Sequence, residues 1–486
     1  ILSQTLLSND MGATALLASP VPVFLAGGAL TVLCTGAWAL RFPKLATGTL
    51  ILSLIAGQLF RVPLPGQGGG LLVSDVATVL VLGAALLQRL FSQGARKQYA
   101  VHSIQRSKKS PLLLTAYCLL STFILWSLFI LLPRVPDLGL QNFLVAFLYW
   151  LRLTTTLALF PALLILFRDI RIRNATQHFL VGAVVVLVVI GFLQLVLLPN
   201  LGDLSRVAPA LAGAKWDPHQ GRLFSTWLDP NLFGGLLIIV IPWIFAHSFL
   251  PLTKGEWPRF TAVGVLLAAL LALLLTQSRS SFLALGLTFL LLAPAFIWQL
   301  QRLPRRMGAG LAVSALTSAV LLIACVTALA PSRLAGLLIV DETAALRVES
   351  LAGALFLSEQ HPYFGVGYNA YQFAAAVEGL SSDFTIHSRA GADNSWLTLA
   401  VTTGVPGAVL FFLPWVGLVT FFLSRAFRGD TLALGAAGSL MALFLHSQVV
   451  NSFLYNHLLI TLIVITTLCL STKKGSSSSP SFSPPT

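Results

Sequence analysis

At 486 residues, with 56% of them hydrophobic, 9% charged and a mean hydropathy of +0.87, the chain carries more apolar surface than a soluble core of this length can hide. That excludes an ordinary globular domain and requires lipid as solvent. The net charge of +14 does not indicate nucleic acid, because Lys and Arg stand in short clusters between apolar runs, which is the pattern of membrane topology.

A bilayer core accepts roughly 20 apolar residues per helix, and every backbone polar group there must be paired within the segment. Apolar runs bounded by charges or Pro/Gly predict spans at 21–40, 45–60, 71–88, 112–133, 143–167, 178–198, 230–249, 260–276, 281–299, 309–330, 405–424, 430–448 and 455–471. The fold class expected is therefore all-α, a polytopic membrane helix bundle of about thirteen spans. The chain opens at Ile1, so its start is expected at Met11 or upstream, and no signal-peptide pattern stands before the first span. Residues 1–474 read as a single transmembrane domain and 475–486 as a disordered Ser/Pro-rich tail. The four cysteines, Cys34, Cys118, Cys325 and Cys469, fall inside apolar stretches without metal-type spacing and read as packing residues.

Orientation follows from the basic residues. If the 89–109 loop, with Arg89, Arg96, Lys97, Arg106, Lys108 and Lys109, is cytoplasmic, alternation puts Arg168, Arg171, Arg173, Lys254, Arg302, Arg425 and Arg428 there too, as the positive-inside rule asks. The outward set is small, and most of it belongs to three elements: the 199–229 loop, the turn Ser278-Arg279-Ser280-Ser281, and the long polar stretch 331–394. That stretch is too rich in Leu, Ala, Phe and Tyr for a solvated linker, and 343–358 has helical spacing of apolar residues. It is expected to form a partly helical extracytoplasmic cap over the mouth of the bundle.

Within these elements Arg222 precedes Asp229-Pro230-Asn231, where Asp229 as N-cap and Pro230 at the first helical position would start a span. Arg222 reads either as an interfacial residue whose guanidinium snorkels or as a fixed fork of donors for an anionic head group. Arg279 reads either as part of a Ser-capped turn or as a second guanidinium for the same group, for which a diphosphate is the natural ligand. In the long loop Asp393 either caps the helix that begins near Asn394 or is a carboxylate able to take a proton from an attacking hydroxyl, with His387 a second candidate base. Inside the spans, Arg152 and Asp75 each require a partner or a water-filled neighbour, since a charge there costs roughly 2.5 to 3.5 kcal/mol. There is no P-loop, no His-Glu-x-x-His, no Asp-x-Asp pair and no Cys/His cluster, so neither ATP hydrolysis nor metal catalysis has a visible home.

Over roughly residues 200–425 the chain resembles the O-antigen ligase and polymerase superfamily, the WaaL, Wzy and pilin-oligosaccharyltransferase group of membrane glycosyltransferases with a GT-C-like architecture. The likeness rests on Gly221-Arg222-Leu223 with Asp229-Pro230-Asn231, Ser278-Arg279-Ser280, Arg347 before His361-Pro362-Tyr363-Phe364-Gly365-Val366-Gly367, and Asp393-Asn394-Ser395-Trp396-Leu397 leading to Gly404-Val405-Pro406-Gly407. It implies metal-independent, cofactor-free, inverting transfer from a polyprenyl-diphosphate-linked glycan to an acceptor hydroxyl on a lipid, glycan or protein. The reaction would occur on the periplasmic or exterior face of a bacterial inner membrane. By that likeness Arg222, Arg279 and Arg347 bind the diphosphate, Asp393 or His387 is the base, and Asn394, Asp229 and Tyr363 support them. The family's usual His-Asn at the end of the loop reads Asp393-Asn394 here, so a carboxylate would stand in for the imidazole. Two other readings remain open from the residues: a small-anion transporter, for example for bicarbonate, whose vestibule the arginines line, and an inactive relative that only binds a lipid head group.

Overall fold

The computed structural model describes residues 42–63, 70–91, 111–200, 221–248, 259–301, 342–380 and 391–471. The spans predicted at 21–40 and 309–330, the candidate base His387 and the Ser/Pro tail lie outside these residues.

In chain order the helices are α1 (Pro43–Ala56), α2 (Val73–Phe91), α3 (Pro111–Leu131), α4 (Val135–Leu166), α5 (Ile170–Leu197), α6 (Pro230–Ser248) and α7 (Arg259–Thr276). They continue as α8 (Arg279–Leu300), α9 (Glu342–Gln360), α10 (Tyr371–Val377), α11 (Ser395–Ala426), α12 (Thr431–His446) and α13 (Asn456–Ser471). A two-stranded antiparallel ribbon, β1 (Val62–Pro63) with β2 (Gly70–Leu71), joins α1 to α2. Among the described residues, six helical stretches are long and apolar enough to cross a bilayer, and one of them, Leu112–Leu166, holds α3 and α4 in succession. The chain is a multi-pass membrane protein. α1, α7, α12 and α13 are apolar but shorter.

The helices begin where the sequence supplies acceptors for their unpaired first N–H groups. Asp169 accepts from Arg171 N at the start of α5, Ser278 from Ser281 N at α8, and Asp430 from Ala433 N at α12. Asp229 Oδ1 accepts from the N–H groups of Asn231 and Leu232 at 2.7 and 3.1 Å, so the cap and Pro230 start α6 as the sequence predicts.

α6 lies at the centre. It packs on α7, α8, α12 and α13, and its residues from Leu236 to Ile244 are buried on every face. The small residues Gly435, Gly438 and Ser439 let α12 approach it closely: a Cβ on Gly435 would sit 2.7 Å from the Ala246 Cβ and one on Gly438 2.6 Å from the Pro242 Cβ, and Ser439 Oγ donates to Ile239 O at 2.6 Å. The peripheral helices leave Leu52, Leu86, Leu125, Leu193, Val196 and Leu290 exposed, an apolar rim suited to lipid tails and unsuited to water.

Two ends can be told apart. One gathers the α5 start and α13 end, where an Arg173 guanidinium N–H donates to Ser471 O, and the α8 and α11 ends, where Gln299 donates to Ala426 O. Among the described residues it holds the clustered basic side chains Arg168, Arg171, Arg173, Arg425 and Arg428. The opposite end gathers the starts of α2, α6, α8, α11 and α13, and every candidate site residue in the described part of the chain.

The helix expected to begin near Asn394 and the span predicted at 405–424 form one element: α11 starts at Ser395 and is broken inside the helix at Gly404 (φ 73°, ψ 166°). The break frees carbonyls that a second segment satisfies. Val366 N donates to Val401 O and Gly367 N to Thr402 O, while Val405 N donates to Pro362 O. Residues 361–367 are thus clipped into the interruption. A Cβ on Gly404 would overlap the Tyr363 carbonyl, and one on Gly365 (φ 64°) would sit 2.6 Å from Val401 O, which explains why both positions are glycine. α9 and α10 confirm the helical character expected for the long stretch, and they share a small core of their own, with Leu357, Val366 and Tyr371 packed on Val401 of α11.

Candidate active site

Arg222 sits in an extended segment laid against the end of α7. Leu223 N donates to Leu275 O at 2.9 Å, Arg222 Nε to Thr276 O at 2.9 Å, and Gln277 Nε2 to Gly221 O at 3.3 Å. On the other side the Gln194 side chain of α5 takes the place of a strand neighbour. Its Oε1 accepts from the N–H groups of Phe224 and Ser225, and its Nε2 donates to Arg222 O. The snorkelling reading of Arg222 is therefore set aside, because the side chain is 9% exposed and held by the protein.

The same contacts bring Arg222 to the turn that carries Arg279. Arg222 Nη2 donates to Asn231 Oδ1 at 3.2 Å, and Ser278 Oγ donates to the same oxygen at 3.0 Å. Ser281 Oγ donates to Ser278 Oγ at 2.9 Å, and having spent its proton there it accepts from His446 Nε2 at 3.1 Å. One directed chain of hydrogen bonds thus runs from α12 through the start of α8 to Asn231, where it meets Arg222. A Cβ on Gly234 would overlap Ser281 Oγ, so that glycine lets the α8 turn reach the start of α6. Arg279 is the first residue of α8 and is half-buried. Two helix starts, those of α6 and α8, add their positive ends to the two guanidinium groups, and such an arrangement favours an anion with several oxygens.

Asn394 and Asp393 divide the roles that the sequence left open. Asn394 is the cap of α11, accepting from Trp396 N at 2.8 Å and Leu397 N at 3.0 Å, and its Nδ2 donates to Gln448 O at 2.8 Å. Asp393 is left to face Arg347 of α9, with Oδ2 3.7 Å from Nε. That separation is an ion pair without a hydrogen bond, and both groups stay partly exposed. Ser395 N donates to Ser447 O at 2.9 Å, so the Asp393 end of α11 is fastened to the turn that follows His446. Tyr363 lies 71% exposed in the clip beside the α11 break.

Arg152 and Asp75 answer one another. The guanidinium is bidentate to the carboxylate, Nε to Oδ1 at 2.7 Å and Nη2 to Oδ2 at 2.6 Å, and Nη2 also donates to Gly70 O. Asp75 stands in the first turn of α2, so Arg152 is at the level of a helix start. α4 is broken at Gly139 (φ 70°, ψ 158°), and Arg152 lies within the apolar part that follows, which is why it looked deep in the sequence.

Sequence reasoning missed His446, Ser278 and Asn231 as parts of the site. Asn231 and Ser278 had local signals, their places in Asp229-Pro230-Asn231 and Ser278-Arg279-Ser280. The other links join residues as far apart as 281 and 446, and nothing in either segment announces the partner.

No curated protein matches the chain. Residues 264–412 match the family model described as O-antigen ligase, a stretch that runs from α7 into the second half of α11 and contains Arg279, Arg347 and Asp393.

Proposed function

Since residues 264–412 place the chain in the O-antigen ligase/polymerase superfamily, the group of membrane glycosyltransferases, we propose that it transfers a glycan from a polyprenyl diphosphate to an acceptor hydroxyl. The observation that carries this reading is the meeting of Arg222 with the Arg279 turn through Asn231 and Ser278. Two guanidinium groups with two helix starts offset the charge that grows on a departing diphosphate, and they are fixed before the reaction begins. Asp393 takes the proton of the acceptor hydroxyl. The hydroxyl oxygen forms a bond to the anomeric carbon as the bond to the diphosphate breaks, so the configuration inverts and the electron pair leaves with the phosphate. Arg347 orients the carboxylate. The whole arrangement needs no metal.

The site faces the compartment opposite the basic loops, which by the positive-inside rule is the exterior or periplasmic face of the inner membrane. Arg279→Ala, alone and with Arg222→Ala, is expected to abolish transfer of glycan from its lipid carrier while folded protein remains in the membrane. Full transfer by the double variant would refute the assignment. Binding of polyprenyl diphosphate by the wild type without any turnover would favour an inactive head-group-binding relative.

A further inference from the structure

Beside the Arg222 segment, among the described residues, lies a cavity of about 160 Å³. Its walls come from distant parts of the chain: Gln58 after α1, Tyr149 and Arg152 of α4, Tyr368 from the loop after the clip, and Tyr455 and Asn456 at the start of α13. This volume compares with the ~150 Å³ cavity that accepts a benzene ring, and the cavity is partly open, which leaves room for ring substituents.

The polar groups on these walls are held in place by partners of their own, some outside the cavity and some within its lining. Arg152 is fixed by Asp75. Asn456 accepts from Thr156 Oγ1 at 2.6 Å and donates to Ser74 Oγ at 3.0 Å. Gln58 Nε2 donates to the Tyr455 hydroxyl at 2.6 Å, which leaves the Tyr455 proton to be given elsewhere. Burial pushes the phenols of Tyr368 and Tyr455 up from their ordinary value, so both remain O–H donors.

The character of the lining selects its occupant. An isoprenoid chain would leave the Tyr368 and Tyr455 hydroxyl protons without an acceptor, a cost that a ring bearing hydroxyl groups avoids. Arg61 also stands in the wall; a bare phosphate would meet that one guanidinium but gain little from Arg152, whose charge Asp75 already cancels, and it would leave the tyrosine rings without an apolar partner. A ring with many hydroxyl groups and one flatter, less polar face satisfies both the amides and the tyrosine rings.

Position points the same way. Gln58 N donates to Thr226 O at 3.1 Å, and the Tyr455 ring lies 5.6 Å from Trp227; Thr226 and Trp227 follow Arg222 within one short segment. The cavity therefore adjoins the place where the diphosphate would sit, and Tyr368 closes it from the same loop that is clipped into α11. We propose that this cavity is a saccharide subsite holding one sugar ring of the lipid-linked glycan. The proposal rests on the glycosyl-transfer reading above.

The test compares two lipids on the full-length protein in nanodiscs: polyprenyl diphosphate without sugar, and the glycan-bearing lipid extracted from the cells that make this protein. Tyr368→Phe and Gln58→Ala are each expected to reduce the preference for the glycan-bearing lipid about tenfold, the worth of one hydrogen bond to a substrate hydroxyl. Tyr368→Phe removes one oxygen only, so it serves even if Gln58→Ala fails to fold. An unchanged preference in Tyr368→Phe and in folded Gln58→Ala would overturn the subsite. Arg279→Ala is expected to weaken both lipids together, and if it weakens neither, the transfer reading itself fails while the two tyrosine and glutamine results still report on the cavity.

Discussion

Replacing Gly404 by Ala tests the clip that joins the outer loop to α11. The residue has φ 73°, a left-handed conformation that costs an L-residue roughly 1–2 kcal/mol. The new methyl would also overlap the Tyr363 carbonyl, so the 361–367 segment must move away. Three backbone hydrogen bonds then go, Val366 N to Val401 O at 2.9 Å, Gly367 N to Thr402 O at 3.1 Å and Val405 N to Pro362 O at 2.9 Å, each worth about 1 kcal/mol net. The sum is a loss of about 4–5 kcal/mol, concentrated in the loop. Thermal unfolding of the purified protein in nanodiscs should fall accordingly, and limited proteolysis should cut near Tyr363 far faster. Gly417→Ala on the same helix is the control, because its Cβ meets Leu112 Cδ1 at an ordinary 3.7 Å. If Gly404→Ala melts and resists protease as Gly417→Ala does, the clip does not hold the loop.

Asp75→Asn leaves the Arg152 guanidinium, 14% exposed, without its counter-charge, and stability should fall by about 3 kcal/mol. Combined with Arg152→Gln the loss should be smaller than the sum of the single losses, and strict additivity in thermal unfolding would sink the pairing argument. Asp393→Asn should lower transfer about 10²–10⁴-fold, the usual weight of a general base, while affinity for the lipid donor holds; near-normal transfer would remove Asp393 from the chemistry. Gln277 sits at φ 50° next to Arg279, so a β-branched Gln277→Val should destabilise by about 2 kcal/mol whereas Gln277→Gly should stay within about 1 kcal/mol of the parent. Equal melting of the two variants would show that the turn carries no strain.

The spans that reach the described helices were legible because a lipid-facing helix must be apolar over most of its length, and α5 or α8 needs no long-range information to be recognised. Helix starts were legible where the cap is local, as at Asp229. Legibility stopped where the chain solves a local problem with a distant group. A helix near Asn394 and a span from 405 could both be read, but not that they form one broken element whose freed carbonyls at Val401 and Thr402 are met by Val366 and Gly367, thirty-five positions earlier. Likewise the eight histidines looked scattered in the sequence, since His446 acquires its meaning only from serines on another helix. Arg222 and Arg279 could be guessed as neighbours by placing both at one face of the bilayer. Their link through the single oxygen of Asn231 could not, because that oxygen's two donors come from different loops.

The bond from Arg222 to Thr276 crosses the edge of the stretch that matches the family model. Of the two arginines proposed to bind the diphosphate, Arg279 therefore comes from inside residues 264–412 and Arg222 from a segment that Gln194 of α5 holds straight, with His446 reaching the α8 turn from beyond the other boundary. An exchange of that stretch alone between relatives would part each guanidinium from its fastening. Successful grafts must carry the Gln194 region, residues 221–231 and the α12–α13 corner along with it.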